Sequence, residues 1–244
     1  MEHRSGGPPA LSRGVVHVWS ACLAQPASVL SSFLPTLSPD ERERAARYQF
    51  EEDRTRFIVA RGLLRSILAG YLEIPPARVE FAYGPSGKPS LSKRLPTRTL
   101  TFNASHSEDQ ALYAVGVGRA VGIDIEHVRT LPRADEVVHT ACSPRERAAI
   151  EQAPEPTRDE ILFAYWTCKE AYTKARGDGL AHPLPDIEID LDAGGHPQFS
   201  KVDGSEREAA HWRVERLSPA PGYVGALVAE GFDWVYAEMT AFPR

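Results

Sequence analysis

Apolar and polar residues alternate along short stretches of this chain, and apolar residues recur every three or four positions along others. The alternating stretches are bounded by Gly, Pro, Asn and Asp, which is typical of strands separated by turns. Strands are predicted at Val15–Trp19, Val79–Ala82, Leu100–Asn103, Ala111–Val117, Val121–Glu126, Asp186–Asp190, Trp212–Leu217, Tyr223–Ala229 and Trp234–Met239.

The helical stretches begin with a recognisable signal. In Ser38-Pro39-Asp40-Glu41, Ser38 can cap a helix, Pro39 suits its first position, and Glu41 completes a capping box. A charged helix is expected here, followed by an apolar helix through 57–68 that ends before Pro75-Pro76.

The same signal recurs in the second half of the chain, as Ser143-Pro144-Arg145-Glu146-Arg147. A second long helix should follow, from a capping box of Thr157 and Glu160 to Gly177. Ser-Pro-x-Glu-Arg is also a common helix start, but the matching helix downstream favours an internal duplication. We therefore predict an α+β protein with two similar halves at 13–119 and 120–244, after a disordered segment at 1–12.

Composition narrows the class of protein. The chain is 42% hydrophobic and 25% charged, with a net charge of −5, which is typical of a soluble globular protein. This charge argues against nucleic-acid binding through an overall basic surface. Three widely spaced cysteines fit no zinc site. No apolar run reaches the roughly 18 residues of a membrane span, so we expect a cytoplasmic protein without membrane contacts.

The segment Val121-Gly122-Ile123-Asp124-Ile125-Glu126 is the first candidate for chemistry. In a strand, Asp124 and Glu126 share one face, while Ile123 and Ile125 point into a core. Adjacent carboxylates repel each other unless a cation lies between them, and oxygen ligands suit Mg²⁺. A solvated strand face is the commoner meaning of Asp-x-Glu, so this pattern alone leaves both interpretations open.

The second candidate segment is the predicted helix around Phe163–Lys174. Its helical period places Tyr165 and Tyr172 on a core stripe, and Phe163, Trp166, Glu170 and Lys174 on the opposite side. Glu170 and Lys174 are four residues apart and could form a surface ion pair. Aromatic residues on the same side favour a site wall or a contact with the other half of the protein.

Together, these segments resemble the Sfp-type 4′-phosphopantetheinyl transferase family. The matching motifs occur in the family's order and spacing between about Leu37 and Pro185. They are Gly87-Lys88-Pro89, Phe102-Asn103-Ala104-Ser105-His106-Ser107, Gly122-Ile123-Asp124-Ile125-Glu126, Trp166-Thr167-Cys168-Lys169-Glu170-Ala171-Tyr172-Thr173-Lys174 and Gly177-Asp178-Gly179-Leu180.

The resemblance implies a fold of two pseudo-symmetric α/β halves with the active site at their interface, in a monomer. It also implies the transfer of the 4′-phosphopantetheine arm of coenzyme A to a serine of an acyl or peptidyl carrier protein, releasing adenosine 3′,5′-bisphosphate. Asp124, Glu126 and Glu170 would hold Mg²⁺, with Mn²⁺ as an alternative. Glu170 could also be the general base, and Lys174 would neutralise a phosphate.

Further residues are expected to bind coenzyme A. By resemblance, Ser105 and His106 contact its 3′-phosphate, and Asp124 lies near its pyrophosphate. Lys88 and Pro89 would form part of the rim around adenine and phosphate. Arg56 occupies the position of a basic 3′-phosphate ligand, and Arg61 follows it in the same helix. Arginine is abundant here, since only five of the 28 basic residues are lysines, so position alone is a weak argument for Arg56 and Arg61.

Two other classes of function are alternatives to this assignment. A different Mg²⁺-dependent phosphoryl transferase lacks support, because no phosphate-binding Gly-x-x-x-x-Gly-Lys-(Ser/Thr) loop is present. A degenerate relative could bind coenzyme A or a carrier without chemistry, but Asp124, Glu126, Glu170 and Lys174 are all present. The segment Leu180–Leu184 is a candidate edge of a carrier-docking surface.

Overall fold

The computed structural model describes residues 8–95, 99–177, 179 and 182–241. Helices and antiparallel strands are mixed in each half of the chain, which confirms the predicted α+β class. No helix among these residues is long and apolar enough to cross a membrane. Of the predicted disordered segment 1–12, residues 1–7 lie outside the described residues, whereas Leu11 packs against the N-terminal core.

The N-terminal half carries a long helix between its first strand and its later ones. In chain order the elements are β1 (Val15–Cys22), α1 (Ala27–Phe33), α2 (Pro39–Ala46), α3 (Glu51–Leu72), β2 (Phe81–Tyr83), β3 (Pro89–Leu91), β4 (Leu100–Ser107) and β5 (Gln110–Val117).

The C-terminal half repeats this order and adds one short helix and one strand. Its elements are β6 (Val121–His127), α4 (Ala134–Ala141), α5 (Pro144–Gln152), α6 (Glu155–Arg176), β7 (Ile187–Leu191), β8 (Pro197–Val202), α7 (Glu206–Ala209), β9 (Trp212–Leu217), β10 (Tyr223–Glu230) and β11 (Val235–Thr240).

Two larger sheets organise the fold. One has the strand order β11-β1-β5-β4, and the other has the order β6-β10-β9. The last strand of the chain, β11, returns to the N-terminal sheet and pairs in parallel with β1. Two hairpins, β2–β3 and β7–β8, form separate small sheets. The edge strands β4 and β6 contact each other, which brings the two larger sheets together where the halves meet.

Each half has its own apolar core, and a third core joins them. The N-terminal core packs α3 against its sheet, and the C-terminal core packs α6 against its sheet. The third core combines Val16 and Leu112 with Ile123, Ile125 and Leu227. Ile123 and Ile125 are fully buried, as predicted for one face of β6. Burying apolar residues from both halves ties them into one folded unit.

The two halves also share a buried ion pair in equivalent positions. The Ser38 N–H donates to Glu41, and Arg65 Nε lies 2.6 Å from Glu41 Oε2. In the second half, the Ser143 N–H donates to Glu146, and Lys169 Nζ lies 2.5 Å from Glu146 Oε2. Helices α3 and α6 both have 22 residues, and Arg65 and Lys169 are the fifteenth residue of each. The repeated capping box therefore anchors a repeated helix, which supports the predicted duplication.

Some predicted element boundaries were wrong. Helix α6 begins at Glu155 after Pro154 and has no Thr157–Glu160 capping box. Thr157 donates to the Pro154 carbonyl, and Glu160 pairs with Arg216 of β9. The strand predicted at 79–82 begins only at Phe81, because a 3-10 turn covers Pro76–Arg78. Strands β3 and β8 and helices α1, α4 and α7 were not predicted, because they are short or follow Pro and Gly.

Candidate active site

Gly122 lets strand β6 lie directly against helix α6. A Cβ atom at this position would be 1.9 Å from the Ala171 carbonyl oxygen and 2.5 Å from the Ala175 nitrogen. Both are backbone atoms of the helix, so only a residue without a side chain fits. This approach places Asp124, two residues further along the strand, beside Lys174 of α6.

Asp124 is the centre of a buried polar cluster. It is only 3% exposed. Its Oδ1 accepts hydrogen bonds from Lys174 Nζ at 2.5 Å and from Ser105 Oγ at 2.7 Å. Lys174 also donates to Ser105 Oγ at 3.0 Å. The pattern predicted that Lys174 could pair with Glu170 on the helix surface, but it reaches across to Asp124 on the strand instead.

Glu126 lies further along the same face of β6, towards solvent. Its Oε2 accepts a hydrogen bond from Ser107 Oγ at 2.9 Å and lies 3.6 Å from Arg129 Nη1. The Arg129 guanidinium also lies over the ring of Phe163, with Cζ 5.5 Å from its centroid. Phe163 is buried and Trp166 is half-buried, so these aromatics are not a solvent-exposed face.

Glu170 faces the two strand carboxylates from helix α6. Burial raises the pKa of its carboxyl group, the charge of Asp124 raises it further, and Lys174 opposes the shift. Among the described residues, Glu170 Oε1 and Asp124 Oδ2 are buried without a hydrogen-bond partner. Buried carboxylate oxygens without donors are costly, so the cluster has a deficit of positive charge that a cation could fill.

The arrangement offers carboxylate oxygens to a metal ion but does not enclose one. Among the described residues, no three His, Cys, Asp or Glu side chains are grouped closely enough to hold an ion as they stand. Lys174 occupies Asp124 Oδ1, whereas Asp124 Oδ2 and Glu170 Oε1 are unpaired. The charges of Asp124 and Glu126 both act on the carboxyl group of Glu170. Carboxylate oxygens are the ligands that Mg²⁺ prefers. The Lys174 ammonium group occupies part of the place that such an ion would take.

A cavity of about 420 Å³ opens beside this cluster. Ser105 and Lys174 belong to both the cavity wall and the carboxylate cluster. Much of the rest of the wall consists of basic side chains, aromatic rings, and the turn that leads into the first residue of β3. They are Arg44, Arg61, His106, Tyr48, Phe57, Tyr83, Tyr113, Gly87 and Pro89.

The charge of this cavity is opposite to that of the whole chain. Four basic side chains line it, namely Arg44, Arg61, His106 and Lys174, and its described lining contains no Asp or Glu. The chain as a whole carries a net charge of −5. A basic concave site with aromatic walls suits an anionic ligand that carries a flat ring.

Arg61 is held rigidly in the cavity wall. Its Nε lies 2.9 Å from Glu41 Oε1, and its Nη2 donates to the Tyr83 hydroxyl at 2.6 Å. Its Cζ lies 4.8 Å from the centroid of the Phe81 ring. Glu41 is shared with Arg65, so one carboxylate balances two guanidinium groups. Glu41, Arg61 and Arg65 together therefore carry a net positive charge, which is available to an anion in the cavity.

The structure places the predicted ligand residues in two groups. The first group lines the cavity or its junction with the carboxylates, and it consists of Arg61, Pro89, Ser105, His106 and Lys174. Arg56 does not, because its Nε lies 2.8 Å from Asp109 and its Nη1 lies 3.3 Å from Asp53.

Lys88 is turned away from the cavity. Its Nζ donates to the Ala175 carbonyl at 3.0 Å, at the end of α6, and to the Val121 carbonyl at 3.5 Å, at the start of β6. A cation at the carboxyl end of a helix is favourable. In the motif that follows α6, Asp178 and Leu180 lie outside the described residues, as do the first two residues of the candidate docking edge Leu180–Leu184.

Burial lowers the pKa of Lys88 to about 8, from the usual 10.5. Between these two pH values the unfolded chain binds a proton that the folded chain has lost, so this residue makes stability rise with pH. We expect the wild type to gain free energy of unfolding relative to Lys88→Met between about pH 8 and 10.5. Denaturant titrations across this range measure the difference, with the exposed Lys93→Met as control. A difference that stays constant across the range would contradict the assignment.

Sequence reasoning missed Arg44, Tyr48 and Tyr83. Arg44 is exposed on α2, with its Cζ 5.2 Å from the centroid of the Phe57 ring. Nothing distinguishes it in sequence from the other arginines around the capping box. The aromatic residues flanking the predicted charged helix and the Gly-Lys-Pro turn were the available signal for Tyr48 and Tyr83.

Comparison with known proteins agrees with this architecture. The model of the 4′-phosphopantetheinyl transferase superfamily matches residues 120–228, and a model described as 4′-phosphopantetheinyl transferase, N-terminal, matches residues 19–117. These two matches correspond to the two structural halves.

Two relatives extend over most of the chain, and a solved structure aligns with less than half of it. It is 42% identical to the 4′-phosphopantetheinyl transferase HetI of Nostoc sp., over 90% of this chain and 89% of that protein. It is 28% identical to the 4′-phosphopantetheinyl transferase Sfp of Bacillus subtilis, over 83% of this chain and 86% of that protein. A holo-[acyl-carrier-protein] synthase structure from Neisseria meningitidis aligns with 46% of this chain and 98% of its own, at 22% identity and a TM-score of 0.39.

The relatives at high coverage and the two family-model matches lead to the same assignment as the motifs. The carboxylate strand and the Glu170–Lys174 helix both lie within residues 120–228, the region matched by the superfamily model. The chain therefore belongs to the 4′-phosphopantetheinyl transferase superfamily.

Proposed function

We propose that this protein transfers the 4′-phosphopantetheine arm of coenzyme A to a serine of an acyl or peptidyl carrier protein, in a reaction that depends on Mg²⁺. The observation that carries the proposal is the junction of two features. A basic, aromatic cavity opens onto three carboxylates, and Ser105 and Lys174 belong to both. The relatives' names support the same reaction.

Coenzyme A matches the cavity in chemistry. Its adenine is a flat ring that can lie against Tyr48 or Tyr83, and its phosphates can be bound by Arg44, Arg61 and His106. Arginine suits this task because its planar group binds phosphate with two hydrogen bonds. The pyrophosphate would then lie next to Ser105 and Lys174, and the arm would extend past the carboxylates.

Mg²⁺ would be held by Asp124, Glu126 and Glu170, and Mn²⁺ by the same oxygens. The unpaired Asp124 Oδ2 and Glu170 Oε1 support this assignment. The ion would supply charge neutralisation on the pyrophosphate and organise the leaving group.

The side chains have separable roles in this reaction. Glu170 would accept the proton of the carrier serine, because its raised pKa makes it a stronger base than an ordinary carboxylate. The serine oxygen then bonds to the β-phosphorus, and the bond from that phosphorus to the bridging oxygen breaks. The second product is adenosine 3′,5′-bisphosphate. Lys174, whose ammonium group already lies within the cluster, would stabilise the charge on the phosphates.

Replacing Arg44 with glutamine should weaken coenzyme A binding by about tenfold to a hundredfold, because one charge-assisted hydrogen bond to phosphate contributes ~1.5–3 kcal/mol. Arg44 is exposed, so the fold should be unaffected. Calorimetric titration with coenzyme A measures the dissociation constant. Arg42→Gln is a matched control, because Arg42 lies exposed on the same helix but outside the cavity lining. Equal affinities for the two variants would exclude Arg44 as a ligand.

The reaction itself can be tested by its nucleotide product. Chromatography should show adenosine 3′,5′-bisphosphate formed from coenzyme A only when the protein, Mg²⁺ and an apo carrier protein are all present. A carrier whose acceptor serine is replaced by alanine is the control and should give no product. Binding of coenzyme A without product, on peptidyl, polyketide and fatty-acid carriers, would favour a degenerate binding protein instead. The cytoplasmic location and the monomeric state belong to the same proposal.

A further inference from the structure

The two main sheets meet along a seam that is formed by side chains. Strand β4 is the edge of the N-terminal sheet, and strand β6 is the edge of the C-terminal sheet. They contact each other closely, yet they belong to separate hydrogen-bonded sheets. An edge strand presents backbone N–H and C=O groups that need partners. We define the seam as Asn103, Ser105 and Ser107 of β4 together with the facing edge of β6.

The polar side chains of β4 supply partners for the edge of β6. Asn103 Oδ1 accepts the Ile123 N–H at 2.8 Å, and Ser107 Oγ accepts the His127 N–H at 3.1 Å. Asn103, Ser105 and Ser107 are two residues apart along the strand and therefore project from the same face. The seam thus replaces part of a backbone ladder with hydrogen bonds from side chains.

Ser107 has a second contact, which connects the seam to the carboxylates. Its hydroxyl donates to Glu126 Oε2 at 2.9 Å while accepting the His127 N–H. A single side chain of the N-terminal half thus holds both the carboxylate of Glu126 and the backbone N–H of His127 in the C-terminal half. Among the described residues, the partner that Glu126 would keep without it is Arg129, at 3.6 Å and on the solvent side.

The spacing of the seam fixes the register of β6 along β4. A shift by one residue would move every side chain of a strand to the opposite face. Asp124 and Glu126 would then point towards the core that now holds Ile123 and Ile125. The seam contacts at both ends of the carboxylate pair, at Ile123 and at His127, oppose such a shift.

We propose that Ser107, supported by Asn103, is a positioning residue that orients Glu126 for the divalent cation of the reaction. This inference rests on the proposed function, because it assumes that the carboxylates hold the cation. Ser107 does not touch the cation or the substrate in this proposal. It acts by holding the carboxylate oxygen of Glu126 and the backbone of His127.

The test measures binding of Mn²⁺ alone, without a carrier protein, by the loss of the free-ion signal in electron paramagnetic resonance. Ser107→Ala should weaken Mn²⁺ binding by about tenfold or more, which is usual when a group that orients a metal ligand is removed. Ser107→Thr keeps the hydroxyl and should restore the affinity. Coenzyme A binding measured with a chelator present should stay within about twofold of the wild type, because the seam residue is outside the cavity lining.

Ser200→Ala is the matched control. Ser200 is also a half-buried strand serine, and its hydroxyl bonds to a backbone carbonyl in the distant β7–β8 hairpin. It should leave Mn²⁺ binding unchanged.

A Ser107→Ala protein that binds Mn²⁺ as tightly as the wild type would overturn the proposal, and so would a wild type that binds no Mn²⁺. Failure of the proposed function gives a different result, namely Mn²⁺ and coenzyme A binding without modification of any carrier.

Discussion

Glu170→Gln is expected to lower kcat for phosphopantetheine transfer about a thousandfold, within the range usual for loss of a general base. The same change should leave the protein at least as stable as the wild type. Burial and the charges of Asp124 and Glu126 disfavour the ionised Glu170 carboxyl group. Glutamine removes this charge and keeps the shape, so activity and stability should move in opposite directions.

Rates of carrier modification at saturating coenzyme A measure the first effect, and denaturant unfolding near pH 8 measures the second. Glu160→Gln is a suitable control, because Glu160 lies on the same helix and is half exposed, paired with Arg216. A kcat within about tenfold of the wild type would remove Glu170 from the catalytic role.

Gly122→Ala should have the largest effect on the fold. Its Cβ would lie 1.9 Å from the Ala171 carbonyl oxygen, far closer than van der Waals contact. Neither backbone can yield locally, so β6 must move away from α6, at a cost of about 1–3 kcal/mol or more. The same movement separates Asp124 from Lys174, so activity should be lost together with stability.

Thermal and denaturant unfolding check this prediction, with Gly14→Ala as the matched control. At Gly14 the nearest atom to an added Cβ is the Asp233 oxygen at 3.7 Å, an ordinary contact. A Gly122→Ala protein with wild-type stability and activity would show that the strand and helix are not held in this close contact.

The local features of the site could be predicted from sequence because they depend on period and spacing. Alternation placed Asp124 and Glu126 on one face of β6 and Ile123 and Ile125 in a core. The repeated capping boxes predicted two similar halves, and the structure shows them at Ser38 and Ser143. These features involve neighbours along one strand or one helix turn.

The partners of the site residues could not be predicted in the same way. Lys174 pairs with Asp124, 50 positions away, and Lys88 bonds to Ala175, 87 positions away. Such pairs depend on how the halves pack, which hydrophobic period does not specify. Arg56 is a further example. It is a basic residue at the expected position, but it forms an ion pair with Asp109 of the β4–β5 turn.

The duplication also shows why one half carries the chemistry. Glu170 and Lys174 are the sixteenth and twentieth residues of α6, and the same positions of α3 hold Ser66 and Gly70. The shared frame is the buried acid–base pair at the capping box. The N-terminal half instead contributes Ser105, Ser107 and the walls of the cavity. The candidate site therefore needs both halves.

The most direct test of the central claim is the intact mass of an apo carrier protein after incubation with this protein, coenzyme A and Mg²⁺. We predict a gain of one phosphopantetheine group on the acceptor serine, abolished by a chelator and by Glu170→Gln. An unchanged mass across peptidyl, polyketide and fatty-acid carriers, with a folded protein that binds coenzyme A, would contradict the claim.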